Sequence, residues 1–245
     1  MLFAVNNQFV NKQPSPDQPA SGDLVSIPIT EAQHVSGLLR KSPGALACYV
    51  LAHGAGAGMR HSFLENVANG LAQRQIETLR YQFLYMEQGS KRPDTPAAAH
   101  AAVRAAVLAA ASLTPNLPLF AGGKSFGGRM TSQAQAKSPL PGVRGLIFLG
   151  FPLHPPGRPS VERAEHLFQI QIPMLFLQGD RDEFAQLELL QGVTSKLGAR
   201  ATLKLFPDAD HSFHVPARTG RKDPEVLASV LSAMKDWMET VISER

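Results

Sequence analysis

Cysteine is nearly absent from this sequence, because Cys48 is the single one among 245 residues. No disulfide can form within the chain, and we expect the protein to work in a reducing compartment, the cytoplasm. Cys48 lies in an apolar run, so we interpret it as a small buried thiol rather than a nucleophile.

An excess of charge of one sign is also missing. The chain has 24 basic and 20 acidic residues, a formal net charge of +4, and the two signs are mixed along it without a basic run. Proteins that bind nucleic acids or membrane surfaces usually concentrate positive charge on one segment or face. We therefore expect neither nucleic acid nor a membrane as a partner.

Long hydrophobic runs are missing as well. Residues 1–22 lack a basic start followed by an apolar stretch, so they predict a loose leader rather than a secretion signal, ahead of one domain at residues 23–245. Residues 96–113 come nearest to a membrane span. They are mostly alanine and include His100 and Arg104, which makes them too weakly apolar to cross a bilayer.

Signals for metals and cofactors are incomplete. The histidines show no metal-binding spacing such as H-E-x-x-H. A dinucleotide-binding turn would need a glycine where Met59 stands, and a phosphate-binding P-loop ending at Gly123-Lys124-Ser125 would need a glycine where Pro118 stands. We expect no metal and no cofactor.

What the sequence does contain is an alternation of apolar runs and helical patterns. The runs predict strands at residues 23–29, 46–52, 76–83, 117–121, 143–150, 172–178 and 201–206. Helical patterns lie between them: one from Ser62, where Glu65 completes a capping box, one from Thr95 and Pro96 to before Pro115, and others at 125–136, at 183–197 and from 223. This alternation predicts an α/β fold with a mostly parallel sheet covered by helices on both faces.

One motif carries the chemistry. Residues 117–129 read LPLFAGGKSFGGR, in which an apolar strand is broken by Gly122 and Gly123 and a helix can follow from Ser125. Residues 123–127 fit G-x-S-x-G, the pattern of a sharp strand-to-helix turn that exposes a serine hydroxyl. The motif predicts that Ser125 is a nucleophile.

A serine nucleophile needs a histidine to take its proton and a carboxylate to orient that histidine. Two later strands end in such residues. The strand at 172–178 is followed by Asp180 and Asp182, and the strand at 201–206 by a loop with His211 and His214. The order serine, aspartate, histidine is that of an α/β-hydrolase, but spacing alone leaves open which aspartate and which histidine take part.

The chain resembles the α/β-hydrolases, and within them the dienelactone-hydrolase-like branch and its KANSL/Tex-type hydrolases. The stretches that carry this resemblance are residues 53–59, 123–129, 151–159 (FPLHPPGRP), 177–184 (LQGDRDEF) and 210–213 (DHSF). The resemblance implies that the acid is Asp182, at the end of a G-x-x-D turn, and that the base is His211.

The resemblance also implies an oxyanion hole formed by the backbone N–H groups of Phe126 and Ala55. Further residues are expected to line the pocket, namely His53, Gly54, Lys124 and His154. Lys124 could instead be a supporting cation with no role in binding, and His154 fits a structural role in its turn equally well.

Together these residues predict a serine hydrolase that cleaves an ester or similar acyl bond of a small molecule through an acyl-enzyme intermediate. Many α/β-hydrolases carry a lid domain before the acid strand, whereas here only about twenty residues, 151–170, fill that gap, so we expect no separate lid and an open site. The alternative is a catalytically silent protein that keeps the hydrolase fold as an interaction module, as in a chromatin complex.

Overall fold

A computed structural model describes residues 22–90 and 92–244. The predicted leader at 1–22 lies outside the described residues, apart from Gly22. Within the described part of the chain eight strands form one sheet in the order β1-β2-β4-β3-β5-β6-β7-β8. The strands are β1 (Asp23–Pro28), β2 (His34–Arg40), β3 (Ala47–Ala52), β4 (Ile76–Tyr81), β5 (Leu119–Lys124), β6 (Val143–Leu149), β7 (Met174–Gly179) and β8 (Ala201–Phe206).

Helices cover both faces of this sheet. They are α1 (Ser62–Ala72), α2 (Leu84–Glu87), α3 (Pro96–Leu113), α4 (Phe126–Lys137), α5 (Leu187–Leu197) and α6 (Asp223–Ser243), with short 3-10 helices at Glu162–Gln169, Gly198–Arg200 and Ala217–Thr219. One hydrophobic core lies under α3, α4 and α5, and a second lies under α1 and α6. The predicted α/β architecture is therefore confirmed.

The central strands are largely apolar and buried. All residues of β3 and of β7 are buried, because helices pack on both faces of the sheet. The strands from β4 and β3 through β8 run parallel, so their carboxyl ends meet at one edge. That edge is where loops from β3, β5, β7 and β8 come together.

The prediction missed strand β2, which pairs antiparallel with both β1 and β4. Its sequence, HVSGLLR, places Ser36 and Gly37 in the middle of the strand and so lacks a continuous apolar run. Gly37 is needed there, because an added Cβ would lie 2.8 Å from the side chains of Val25 and Ile27 on β1. The neighbouring strands, rather than local propensity, decide this element.

The predicted break at Gly122 and Gly123 was wrong. Strand β5 continues through both glycines to Lys124, with Gly122 opposite Leu51 and Gly123 opposite Ala52. An added Cβ on Gly122 would lie 1.9 Å from the carbonyl oxygen of Ile147, so only glycine allows the adjacent strands to approach this closely.

Helix ends also differ in part from the prediction. The first helix is capped by His61, whose Nδ1 accepts a hydrogen bond from the Phe63 N–H at 3.2 Å, and not by Ser62. Thr95 caps α3 as predicted, with its hydroxyl accepting from the Ala98 N–H. The helix predicted from 183 begins at Leu187, since residues 180–186 form the turn that carries Asp182.

Helix α3 is the one helix in the described ranges that is long and apolar enough to cross a membrane by length and composition, with a mean hydropathy of 1.3. In this fold it packs against α4 and the sheet through a row of small buried side chains, Ala99, Ala102, Val103, Ala105, Ala106, Val107 and Ala110. Alanine lets the helix lie close to its neighbours, so its apolar character is that of core packing.

The segment between β6 and β7 contains the 3-10 helix Glu162–Gln169, which packs on α4. It forms no separate lid domain, which confirms the prediction from its length. Within residues 22–90 and 92–244, loops of the sheet cover its carboxyl edge.

Candidate active site

Ser125 occupies the turn between β5 and α4. Its backbone has φ 50° and ψ −116°, a conformation that non-glycine residues rarely adopt. The turn can close because Gly127 lacks a side chain: an added Cβ there would lie 2.6 Å from the carbonyl oxygen of His53. The strained turn holds the half-buried serine hydroxyl above the carboxyl end of the sheet.

A chain of hydrogen bonds links Ser125 to His211 and Asp182. The Ser125 Oγ lies 2.8 Å from Nε2 of His211, and Nδ1 of His211 lies 2.6 Å from Oδ2 of Asp182. These residues are far apart in sequence, and they meet because β5, β7 and β8 end at the same edge of the sheet. The arrangement has the order and distances of a Ser-His-Asp triad.

Asp182 is buried, and its carboxylate is held from several sides. Its Oδ1 accepts from the Phe184 N–H at 2.8 Å, and its Oδ2 accepts from the side-chain amide of Gln178 as well as facing His211. Asp180, the competing acid, is exposed and contributes only its backbone N–H, which donates to the Phe206 carbonyl.

His214, the competing base, lies at the surface and contacts a different acid. Its Nδ1 is 2.8 Å from Oδ2 of Asp223, at the start of α6. This contact raises the pKa of His214 from its usual value. The structure therefore brings His211, and not His214, to Ser125.

Burial lowers the pKa of His211 below its usual value, and the nearby cation Lys124 acts in the same direction. The hydrogen bond to Asp182 and the charges of Asp182 and Asp210 oppose this shift. The ring of Phe184 lies against the imidazole, with centroids 4.4 Å apart, and limits its contact with water. The lowered pKa favours the neutral imidazole, which can accept a proton.

Two backbone segments lie next to Ser125 in sequence or in space. Phe126 is the first residue of α4, where the first N–H groups of a helix have no partner within the helix. Gly54 and Ala55 follow β3, and an added Cβ on Gly54 would lie 3.9 Å from Cβ of Ser125. The hydroxyl of Tyr85 fixes this loop by accepting from the Gly56 N–H at 2.8 Å.

A cavity of about 360 Å³ opens beside Ser125 and is called the Ser125 cavity below. It is lined by Gly54, Ala55, Ala57, His61, Phe63, Leu64, Lys124, Ser125, Phe184, His211 and Ser212. Two larger grooves, of about 630 and 620 Å³, run beside α6, but neither contains Ser125 or Asp182. The Ser125 cavity is the space that a molecule reacting with this serine would occupy.

A family model described as an alpha/beta hydrolase domain matches residues 45–239. The chain belongs to the α/β-hydrolase family. Its fold resembles that of a dienelactone hydrolase from Anabaena variabilis, with a TM-score of 0.70 at 20% identity over 89% of this chain and 96% of the other. This family membership identifies the protein as a hydrolase.

Two other solved α/β-hydrolases share the fold. One is a serine hydrolase without lid from Xanthomonas campestris, with a TM-score of 0.68 at 19% identity over 91% of this chain and 98% of the other. The second is a serine hydrolase homologue from Coxiella burnetii, with a TM-score of 0.69 at 17% identity over 87% and 97% of the two chains. The fold is thus dienelactone-hydrolase-like.

Two residues expected to line the pocket of this α/β-hydrolase do not line the Ser125 cavity. His53 is fully buried: its Nε2 accepts from the Phe83 N–H at 3.1 Å and its Nδ1 donates to the Gly54 carbonyl at 2.7 Å. Burial lowers its pKa to about 4. His53 is therefore neutral, and its two hydrogen bonds connect the loops that follow β3 and β4.

His154 has a similar bracing role. Its Nε2 accepts from the Gln186 N–H at 2.8 Å, and its backbone N–H donates to the Phe184 carbonyl at 2.9 Å. Phe184 and Gln186 belong to the turn that carries Asp182, so His154 stabilises the position of that turn. Gly54 and Lys124, the other two expected residues, do line the cavity.

A second serine–histidine contact exists away from the cavity. The hydroxyl of Ser132 lies 2.7 Å from Nε2 of His166, on the face of α4 that the 3-10 helix covers. Ser132 is fully buried, and the charged groups that act on His166 are the cationic Arg129 and a second histidine, His100, rather than a carboxylate. Ser132 is therefore inaccessible to a substrate, and no carboxylate orients its histidine.

Sequence reasoning missed several residues of the site. Gln178 orients Asp182, Phe184 covers the imidazole, and Phe63 and His61 line the cavity. Gln178 left one detectable signal, since it is a polar residue inside the otherwise apolar strand β7. The chain offers no comparable local signal for Phe63 or Phe184.

No metal centre forms in the described ranges 22–90 and 92–244, where no three His, Cys, Asp or Glu side chains come together in a way that could hold an ion. Cys48 is buried, and burial raises the pKa of its thiol to about 12. The polar side chains that line the cavity are those of Ser125, His211, Lys124, His61 and Ser212.

Proposed function

We propose that this α/β-hydrolase is a serine hydrolase that cleaves an ester or a similar acyl bond of a small molecule. The observation that carries the proposal is the continuous chain of hydrogen bonds from Ser125 through His211 to Asp182. A hydroxyl alone is a weak nucleophile, and this chain supplies the proton acceptor and the orienting carboxylate that it needs.

In the first step Ser125 Oγ attacks the carbonyl carbon of the substrate while its proton passes to Nε2 of His211. The 2.8 Å distance between these atoms is within the range for direct proton transfer. Asp182 remains ionised, keeps the imidazole proton on Nδ1 and stabilises the imidazolium that forms.

The negative charge that develops on the carbonyl oxygen requires donors already in place. We assign this role to the backbone N–H groups of Phe126 and Ala55, which lie at the start of α4 and in the loop after β3. The positive end of the α4 helix dipole acts on the same oxygen. Losing one such donor typically slows turnover by about 10²- to 10³-fold.

The imidazolium then gives its proton to the departing alcohol, and an acyl group stays on Ser125. A water molecule, deprotonated by His211, attacks this acyl-enzyme and releases the acid, which regenerates the serine. In both halves of the cycle Nε2 of His211 takes a proton from the attacking oxygen and gives one to the departing oxygen, which is Ser125 Oγ in the second half.

The Ser125 cavity suggests the substrate class. Its wall is mostly apolar and includes Phe63 and Phe184. Its volume of about 360 Å³ suits a small acyl or aryl ester better than a long lipid chain. The solved dienelactone hydrolase, which shares the fold, carries a name that is consistent with a small ester or lactone.

We also propose a cytoplasmic location, in line with the single buried thiol of Cys48. A reducing compartment would leave this protein unchanged, because it contains no disulfide that reduction could break.

Labelling with a fluorophosphonate probe tests the proposed function. The wild-type protein is expected to label, and Ser125→Ala is not. Ser132→Ala is the matched control, because Ser132 also contacts a histidine but is buried, and it is expected to label like the wild type. Folded wild-type protein that fails to label would contradict the proposal and favour an interaction module. Hydrolysis of a panel of short esters, thioesters and lactones would then rank the substrates.

A further inference from the structure

Lys124, the residue before the serine, contacts the main chain of His211 instead of pairing with an acid. Its Nζ donates a hydrogen bond to the backbone carbonyl of His211, across 87 residues of sequence. Asp182 and Asp210 act on the ammonium group only through space. One side chain thus connects the end of β5 to the loop that carries the proposed base.

The surroundings of Nζ are shaped to hold it there. It lies 5.9 Å from the ring centroid of Phe63 and 5.7 Å from that of Phe213, and the two rings are nearly parallel, at 3°. A Cβ added to Gly150 would lie 2.9 Å from Nζ and 3.3 Å from the His211 ring. The missing side chain at Gly150, whose φ is +71°, leaves room for both groups.

Charged and titratable groups face His211 from every adjoining element. Asp182 comes from the turn after β7, Asp210 from the loop of His211 itself, and Lys124 from the end of β5. His61, at the start of α1, interacts with Lys124 rather than with His211. Of these groups, Lys124 is the cation that disfavours a second proton on the imidazole before the substrate arrives.

We propose that Lys124 is a positioning residue that acts through His211: it fixes the main chain of the base and keeps the imidazole in the neutral, proton-accepting form. This inference rests on the proposed function. It assigns to Lys124 a role distinct from substrate binding, since its ammonium group is directed at a carbonyl of the protein. The low pKa of Lys124, which burial brings to about 8, is consistent with an amine that is charged but poorly solvated.

The test compares Lys124→Met, Lys124→Arg and a matched control, Lys137→Met, which makes the same change at an exposed position on α4. Each variant is assayed for kcat and KM on a neutral ester between pH 5 and pH 9, after active sites have been counted with the fluorophosphonate probe. The neutral ester ensures that the pH profile reports on the enzyme alone.

For Lys124→Met we expect kcat per active site to fall about tenfold, with KM nearly unchanged, because the base is less well positioned. Removing a nearby cation should also move the acid limb of the kcat/KM profile to higher pH by about half a unit or more. Lys124→Arg keeps the charge and should keep the acid limb near that of the wild type. Lys137→Met should match the wild type in both respects.

An acid limb that does not move in folded Lys124→Met would overturn the inference, because a merely structural lysine would change the number of active sites and not their pH profile. The acid limb of the wild type is the reference for Lys124→Arg, and a limb that moves away from it in that variant, although the charge is kept, would also overturn the inference. A wild type that does not label at all would instead contradict the proposed function.

Discussion

The side-chain amide of Gln178 donates a hydrogen bond to Oδ2 of Asp182, the same oxygen that faces the imidazole of His211. Its carbonyl oxygen accepts from the Phe151 N–H at 2.8 Å, which fixes the direction of the amide. Gln178 is fully buried inside β7. A polar side chain in the core of the sheet therefore determines where the carboxylate points.

Replacing Gln178 with methionine should weaken both folding and turnover. The Phe151 N–H would lose its acceptor inside the core, which costs about 1–3 kcal/mol of unfolding free energy. Asp182 would lose one of its donors and hold His211 less firmly, so kcat should fall while KM changes little. Urea unfolding and ester kinetics measure the two effects. Gln171→Met, at an exposed position, is the control, and equal behaviour of the two variants would show that the amide has no such role.

Replacing Asp182 with asparagine should reduce kcat by roughly 10³- to 10⁴-fold, because an amide at this position favours the wrong tautomer of the histidine. Asp180→Asn should leave kcat near the wild-type value, since its side chain is exposed. Both variants remove one negative charge from the same turn, so each serves as the control for the other. The opposite order of effects would assign the acid to Asp180.

The protein should become less stable as the pH is lowered, because of the buried His53. Its pKa is about 4 in the folded protein and about 6.5 when unfolded, so the unfolded chain binds the proton more tightly. The stability that this residue contributes is present above pH 6.5 and is lost as the pH falls towards 4. Between pH 7 and pH 5 the loss is about 2 kcal/mol.

Urea unfolding at pH 7 and pH 5 measures this loss, with His53→Gln as the test variant. The variant should be less stable than the wild type at pH 7, but its stability should decrease less between the two pH values. His166, whose pKa is also lowered to about 4, is present in both proteins and so does not affect the comparison. Equal decreases in the two proteins would show that folding does not lower the pKa of His53.

Two glycine-to-alanine changes should have opposite effects. In Gly127→Ala the new Cβ would lie within 2.7 Å of backbone atoms of Ala52 and His53, so the serine turn could not close. We expect a loss of several kcal/mol, about 3 or more, or no folded protein. In Gly192→Ala, within α5, the Cβ meets nothing within 4 Å and should add about 0.5–1 kcal/mol. Thermal unfolding distinguishes the two, and equal melting temperatures would contradict the prediction.

Much of the site could be predicted because its parts are local. The turn at Ser125 is encoded by glycines within a few residues of it, and Thr95 caps α3 through its own side chain. The apolar runs of β3 and β7 show that both faces of the sheet are covered. These features depend on backbone conformation and short-range hydrogen bonds, which neighbouring residues determine.

Other features depend on contacts between distant parts of the chain. Strand β2 is stabilised by pairing with β1 and β4, and Gly122 continues a strand because the neighbouring strand leaves room only for glycine. His53 and His154 were expected at the pocket, but buried N–H groups from other loops hold them in place instead. No local pattern indicates such partners.

The sequence by itself determined the α/β class, the strained turn at Ser125 and a short set of candidate acids and bases, since each follows from residues close together in the chain. Only the tertiary structure decided that His211, rather than His214, contacts the serine, that Asp182, rather than Asp180, contacts His211, and that Lys124 bonds to the backbone carbonyl of His211. The reason is geometric: a side chain's partner depends on the direction in which its loop leaves the sheet, and packing across the whole sheet sets that direction.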